Sequence, residues 1–213
     1  MEIPRNKLDE SGETLFPLFL KLAGRRVLLV GGGPVATSKA ASLAEAGAQV
    51  TVVSPEMTAA LAALVATHGW SVAGRPFQTG DLDGAWLVVA AAPPAVNAQV
   101  AAAAEAAHTF VVAVDDPPSA SAYGAGIVRR AGITLAVSTA GHAPALAGLL
   151  REGLEALLPA DLDAWLAEAQ RLRPVWRAQQ TAMTDRRPQL LHALNRLYEA
   201  KMGQKSDAEV LRG

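Results

Sequence analysis

Short apolar runs and helix-like stretches alternate along residues 1–115. "RRVLLV" (25–30) ends in an unbroken run of branched aliphatics, the pattern of a parallel strand buried on both faces. "VATSKAASLAEA" (35–46) places Val35, Leu43 and neighbouring alanines at helical spacing, with Gly47 as its stop. "AQVTVVS" (48–54) predicts a second strand, residues 57–68 a second helix ended by Gly69, and "WSVAGRP" (70–76) a weak third strand. "AWLVVAAA" (85–92) predicts a fourth strand, 95–106 a third helix, and "TFVVAVD" (109–115) a fifth strand. Strands alternating with helices of this length imply right-handed crossovers, hence an α/β fold with a Rossmann-like, doubly wound parallel sheet.

The rhythm then changes. "AYGAGIVRRAGITLAVSTAG" (122–141) reads as two strands around a turn at Arg130–Gly132, with no helix between them. From Pro144 onward the pattern is helical. Leucines repeat through 144–158, Pro159 breaks the run, and a second helix starts behind Asp161 as its cap. Pro174 and Pro188 are expected to separate two further helical pieces, and the polar tail from Lys201 is expected to fray. The expected organisation is therefore a Rossmann-like domain over 1–115, a small central β segment over 116–143, and a helical domain over 144–213. The helical part carries too little core of its own and must pack on the first domain or on a second subunit.

Composition narrows the function classes. Of 213 residues, 51% are hydrophobic, which excludes a disordered chain. A net charge of -1 gives no global positive field for nucleic acid, so an anionic ligand must be met by local basic groups. The absence of cysteine excludes disulfides, thiolate metal sites and cysteine nucleophiles, and suits a reducing compartment. The opening "MEIPRNKLDESGE" lacks the charged-then-apolar order of a signal peptide, and no apolar run reaches the roughly 18 residues of a membrane span. A soluble cytoplasmic protein without nucleic-acid or membrane partners is expected. The four histidines, His68, His108, His142 and His192, are scattered, so no dedicated metal cage is expected.

"GGGPVA" (31–36) fits G-x-G-x-x-A and sits between a predicted strand and a predicted helix. In that setting Gly31 permits the tight turn, Gly33 lets a pyrophosphate approach the backbone, and Ala36 lets the helix pack on its strand. Gly32, Pro34 and Val35 complete the turn, and the helix N-terminus offers free N–H groups to phosphates. The second strand ends with Ser54 where a ribose-binding acid is expected; Pro55 and Glu56 follow. With no arginine close behind, NAD is favoured over NADP. Glu56 is equally readable as a first-turn acid of the next helix. Ala91, at the end of the fourth strand, is also expected at the cofactor.

"AVDDPPSAS" (113–121) ends the fifth strand, at the sheet edge where ligands bind in open α/β folds. A carboxylate there can take a proton as a hydride leaves, or Asp-Asp-Pro-Pro can simply be a turn with an Asp capping it. "STAGHAP" (138–144) offers Ser138, Thr139, the Gly141 backbone and His142, or else ordinary capping of the following helix. Arg129, Arg130 and Arg151 are candidates to hold carboxylates, or members of a solvated face.

Several motifs also stand in a telling order: "FPLFLKLAGRRVLLVGGGPVA", "EAGAQVTVVSPE", "AVNAQVAAAAE", "VVAVDDP" and "GIVRRAGITLAVSTAGHAPALAGLLREGLEALLP". From residue 15 to about 200 the chain resembles the precorrin-2 dehydrogenase / sirohydrochlorin ferrochelatase family, which includes the N-terminal module of siroheme synthases. The resemblance implies a homodimer with a Rossmann domain, a central dimerisation segment and a helical domain. It implies NAD-dependent oxidation of precorrin-2, a tetrapyrrole, to sirohydrochlorin, and for some members insertion of Fe2+ as a second substrate. The family's catalytic aspartate falls on Asp115, and Asp115 or His142 is the base for metal insertion. Its nucleotide-contacting positions fall on Pro34, Val35, Pro55 and Glu56, and its hydroxyl-bearing loop on Ser138 and Thr139, with Gly141 and Arg129 beside the substrate. Where family members carry "AERK", "AATDD" and "STGGxSP", this chain has "ATSK", "AAAPP" and "STAGHAP". A non-catalytic module binding NAD(H) or a tetrapyrrole, as sensor or carrier, is the alternative from another class.

Overall fold

The computed structural model describes residues 15–210, with side chains through Glu199. The opening stretch read for a targeting signal lies outside the described residues. The chain divides into two compact units. The first comprises residues to Ala125 with Ser138–Pro144, the second Gly126–Val137 with Ala145 onward.

In the first unit β1 (Arg26–Val30), α1 (Pro34–Glu45), β2 (Gln49–Val53), α2 (Ala59–His68), β3 (Ser71–Ala73), β4 (Leu87–Ala90), α3 (Pro94–Ala106) and β5 (Val111–Ala113) follow in chain order. All five strands are parallel, in the order β3-β2-β1-β4-β5. Both faces of the sheet are covered, as the unalternated strand sequences require. Val27, Leu29, Val50, Val52, Leu87 and Val89 pack with Ala36, Ala40 and Leu43 of α1 and Leu61 of α2. Leu28, Val30, Val53, Val88 and Ala90 pack on the other face with Val100 and Ala104 of α3. Alanines at 36 and 40 let α1 lie close to the sheet. Truncating Leu29 here costs roughly 2–5 kcal/mol.

The direction of chain progress reverses between β1 and β4. Sequence order runs outward from β1 to β2 and β3 on one side, and from β4 to β5 on the other. That reversal opens a crevice beyond the carboxyl ends of the two central strands. β5 is shorter than its apolar run predicts because the chain turns at once after Val114. Ser121 then folds back, its hydroxyl accepting the Val111 N–H at 2.9 Å, which covers the outer edge of the sheet.

In the second unit β6 (Gly126–Arg130) and β7 (Ile133–Val137) form an antiparallel hairpin. Its two-residue turn puts Ala131 at φ 50 and Gly132 at φ 75, as a type I′ turn demands. α4 (Pro144–Leu157), which begins at the edge of the first unit, α5 (Leu162–Ala178) and α6 (Met183–Val210) follow. Gly126 packs on the Ala147 carbonyl of α4, and Arg130 donates to the carbonyls of Leu158 and Ala160 just beyond it. Trp165 donates to the Tyr198 hydroxyl (2.8 Å), and Trp176 to Gln189 (2.7 Å), fastening α5 to α6.

Three local expectations fail in this unit. Pro174 and Pro188 lie inside α5 and α6 and do not end them. Each removes one i→i−4 bond, and both stand on exposed turns where water can satisfy the freed carbonyl. Asp161 precedes α5 but its side chain caps no helical N–H; it accepts the Tyr198 hydroxyl instead. The tail expected to fray continues the α6 backbone to Val210.

Candidate active site

The crevice is built around the glycine turn. Gly31 leaves β1 at φ 122, and a Cβ there would stand 2.2 Å from the Ala91 carbonyl oxygen. Gly32 is more constrained: a Cβ would stand 1.9 Å from the Glu56 carbonyl oxygen and 2.8 Å from Ser54 Oγ. These two glycines are therefore required by the protein's own backbone, which crosses itself at the ends of β1, β2 and β4. Gly33 differs. Its φ of -78 suits any residue, and a Cβ there meets nothing within 4 Å. No neighbour in the described chain calls for glycine at that position. The position lies at the N-terminus of α1 with Pro34 in its first turn, a setting that favours anions. The cradle thus fits a dinucleotide pyrophosphate. Val35 is exposed beside it.

The flanking loops are held by hydrogen bonds. The Ser54 hydroxyl is buried and donates to the Glu56 carbonyl (2.6 Å), so it shapes the turn and points away from a ribose role as an acceptor. Pro55 and Glu56 are exposed at the end of β2. The Gly32 carbonyl accepts the Thr58 N–H, and Thr58 Oγ1 caps α2 and meets Thr37 Oγ1 of α1 at 2.7 Å. On the other side, Asn97 is buried and its Oδ1 accepts the Ala92 N–H at 3.1 Å. Asn97 thereby fixes the Ala91–Ala92 segment against Gly31. Sequence reasoning missed this residue. Its signal was a polar side chain at 97, in phase with the buried positions 100 and 104 of α3.

Asp115 stands two strands from the glycine turn, across β4 from it, since Val30, Ala90 and Ala113 are in register. Parallel strands lie about 4.8 Å apart, so the carboxylate and the turn are separated by roughly 10 Å along the sheet edge. The residue is exposed and left-handed, at φ 55. A non-glycine residue there carries strain that Asp bears better than most. Asp116 at the head of the next turn makes no side-chain cap.

The 138–144 loop belongs to the same unit and closes on the Asp115 turn. A Cβ on Gly141 (φ 81) would stand 3.3 Å from Pro117 and 3.6 Å from the Tyr123 ring. Ser138 Oγ accepts the Ala140 N–H and Thr139 Oγ1 the Ala143 N–H, so each hydroxyl keeps its proton to donate. The His142 N–H donates to the Thr139 carbonyl, and the His142 side chain is exposed. Lys39 of α1 reaches the same region, its Nζ 3.5 Å from a Cβ position on Gly124.

The structure so brings Gly31–Val35, Ser54–Glu56, Ala91, Asp115 and the Ser138–His142 loop to one edge of one unit. Arg129 lies on β6 of the other unit. Arg130 is engaged with helix-end carbonyls, and Arg151 is paired with Glu152 and Glu155. Among the described residues, no group of three or more His, Asp or Glu side chains can hold a metal ion, and no helix is long and apolar enough to cross a membrane.

Fold and glycine turn together define a dinucleotide-binding α/β protein. A family model described as "Putative NAD(P)-binding" matches residues 18–125, just over half the chain. Siroheme synthase 3 of Aeromonas hydrophila subsp. hydrophila is 45% identical over 172 residues, 80% of this chain and 37% of that protein. Siroheme synthase 1 of Aeromonas salmonicida is 43% identical over 199 residues, 92% and 42% of the respective lengths. The chain spans about two-fifths of the length of these relatives. The solved structure of SirC, precorrin-2 dehydrogenase, shares the fold, with a TM-score of 0.63 at 22% identity over 84% of this chain and 88% of that one. The chain belongs to the family described as "Putative NAD(P)-binding".

Proposed function

We propose that this chain oxidises precorrin-2 to sirohydrochlorin with NAD+ in siroheme biosynthesis, as a cytoplasmic homodimer. The observation that carries the catalytic part is Asp115. Its carboxylate is exposed just beyond the carboxyl end of β5, on a residue held in a left-handed conformation. That favours a base over a turn-former. The names of the relatives, siroheme synthase and precorrin-2 dehydrogenase, supply the substrate class.

NAD+, when bound, supplies the hydride acceptor. Gly33, Pro34 and Val35 are the residues to hold its pyrophosphate, and Ala91 lines the path toward Asp115. Glu56 is the exposed carboxylate at the end of β2, suited to ribose hydroxyls. Arg75, just beyond β3, is held bidentate by Asp81, which leaves it unsuited to a 2′-phosphate and supports NAD over NADP. Asp115 accepts the proton that leaves the macrocycle as the new double bond forms. Ser138 and Thr139 donate hydroxyl protons to substrate carboxylates or carbonyl-like atoms. Insertion of Fe2+, as a substrate, is the second reading, because the same exposed carboxylate and His142 can take the two pyrrole protons that leave.

The test is anaerobic NADH formation from NAD+ and freshly generated precorrin-2. Wild-type protein should turn over above the no-enzyme rate. Asp115→Asn should keep its NAD+ affinity and lose roughly 10²–10⁴-fold in kcat. Tight binding of both ligands without NADH would instead identify a sensor or carrier, and unchanged turnover in Asp115→Asn would remove Asp115 from the chemistry.

A further inference from the structure

We propose that Lys39 anchors a carboxylate of the substrate at the rim of the crevice. The inference rests on the reading above that the substrate is a polycarboxylate tetrapyrrole. It starts from charge. Such a ligand needs cations, and the chain as a whole carries a net charge of -1.

The described part of the first unit contains five Lys and Arg side chains: Lys21, Arg25, Arg26, Lys39 and Arg75. Lys21, Arg25 and Arg26 sit at the amino end of β1, on the opposite edge of the sheet from the crevice. Arg25 lies over the Trp86 ring at 3.6 Å, and Arg26 donates to the Asp81 and Asp83 carbonyls. Arg75 is neutralised by Asp81 at 2.6 Å. Of the two that follow the carboxyl-end edge, Arg75 beyond β3 and Lys39 on α1, only Lys39 forms no salt bridge with a carboxylate among the described residues.

Its placement is specific. Lys39 is five residues into α1, about 7.5 Å along the axis from Pro34, and one turn beyond Val35 on the same face. Its stem is half-buried. The chain leaving the Asp115 turn crosses this face at Gly124, where a Cβ would stand 3.5 Å from Nζ. The amine is therefore set between α1 and the segment that also carries Tyr123, which packs on Gly141 of the hydroxyl-bearing loop. A half-buried ammonium with its stem packed and its head unpaired loses little freedom on meeting an anion.

Gly124 supplies a test of charge that leaves Lys39 in place. Its φ is not left-handed and a Cβ makes only ordinary contact, so side chains are tolerated. Sirohydrochlorin affinity, NAD+ affinity, KM for precorrin-2 and Tm should be measured for wild type, Lys39→Met, Gly124→Glu, Gly124→Gln and the Lys39→Met/Gly124→Glu pair. Lys39→Met should weaken sirohydrochlorin binding and raise KM roughly tenfold or more, with NAD+ affinity and Tm unchanged. Gly124→Glu, by pairing with Lys39, should give a similar loss, Gly124→Gln should stay near wild type, and the pair should lose no more than Lys39→Met alone.

Wild-type tetrapyrrole binding with Lys39→Met unchanged overturns the anchor and spares the proposed function. A selective loss of NAD+ affinity in Lys39→Met assigns the amine to cofactor phosphate and overturns it too. Equal losses in Gly124→Glu and Gly124→Gln exclude charge as the cause at that position. Failure of the wild type to bind sirohydrochlorin or turn over precorrin-2 overturns the proposed function and the anchor with it.

Discussion

β1 of the first unit buries Val27, Leu28, Leu29 and Val30 between helices, while α4 of the second leaves Leu149 66% and Leu157 80% exposed. Leu146, Leu150 and Leu154 lie on the same helix and are also exposed or nearly so, at spacings that form one stripe. Among the described residues, the buried apolar side chains of the second unit are few: Val128, Ala147, Leu162, Trp176, Ala193 and Leu194. The first unit is closed by its own backbone, to the point that two glycines touch neighbouring carbonyls. The second is held by indole and guanidinium hydrogen bonds and, among the described residues, leaves the α4 leucines exposed. Those exposed leucines are the reason that a homodimer is part of the proposed function.

The sharpest way to break this comparison is in the glycine turn. Gly32→Ala forces a Cβ to within 1.9 Å of a carbonyl oxygen and should cost about 3 kcal/mol or more, read as a collapse of the first unit's melting transition. Gly33→Ala meets no such obstacle; it should melt within a degree or two of wild type and lose at least tenfold in NAD+ affinity by titration. Equal stability losses in the two variants would show that the turn is a packing device and nothing more.

For the second unit, Leu149→Glu with Leu157→Glu removes two exposed leucines from the α4 stripe. If a second copy covers that stripe, each leucine contributes about 2 kcal/mol to the interface. The double variant should weaken dimerisation at least 100-fold by sedimentation equilibrium while NAD+ affinity persists. Wild type that sediments as a monomer would refute the homodimer.

The smallest effect is expected at Asp81. The Arg75 hydrogen bond, helped by the Gln78 N–H, holds its carboxyl below the ordinary carboxylate range despite partial burial. A depressed native pKa stabilises the fold above the unfolded value near 3.9 and is lost as pH falls through the native value. Asp81→Asn should lower Tm by roughly 2–4 °C at pH 7, equivalent to about 1 kcal/mol. The two melting curves should converge once the pH falls below the depressed native value of the Asp81 carboxyl.

The sheet, its strand order class and the position of the dinucleotide turn were legible in the sequence because each is written locally. An unalternated aliphatic run can only be buried on both faces, and three glycines between strand and helix mark a close approach. The fifth strand was legible too, although it stops at Ala113, two residues before the expected Asp115. Long-range partners have no such local record. Only the tertiary structure separates Gly31 and Gly32, filled by the carbonyls of Ala91 and Glu56, from Gly33, which faces open space. It alone commits Ser54 to a turn, turns Arg130 and Arg151 from candidate ligand-binders into structural ties, and makes Asn97 a support for the Ala91 loop. It carries α5 and α6 through Pro174 and Pro188, because a single lost bond on a wet face is outweighed by packing elsewhere on the helix. It also brings Lys39 to Gly124 across 85 residues of chain, a meeting fixed by where the chain crosses after β5 and by no pattern around either residue.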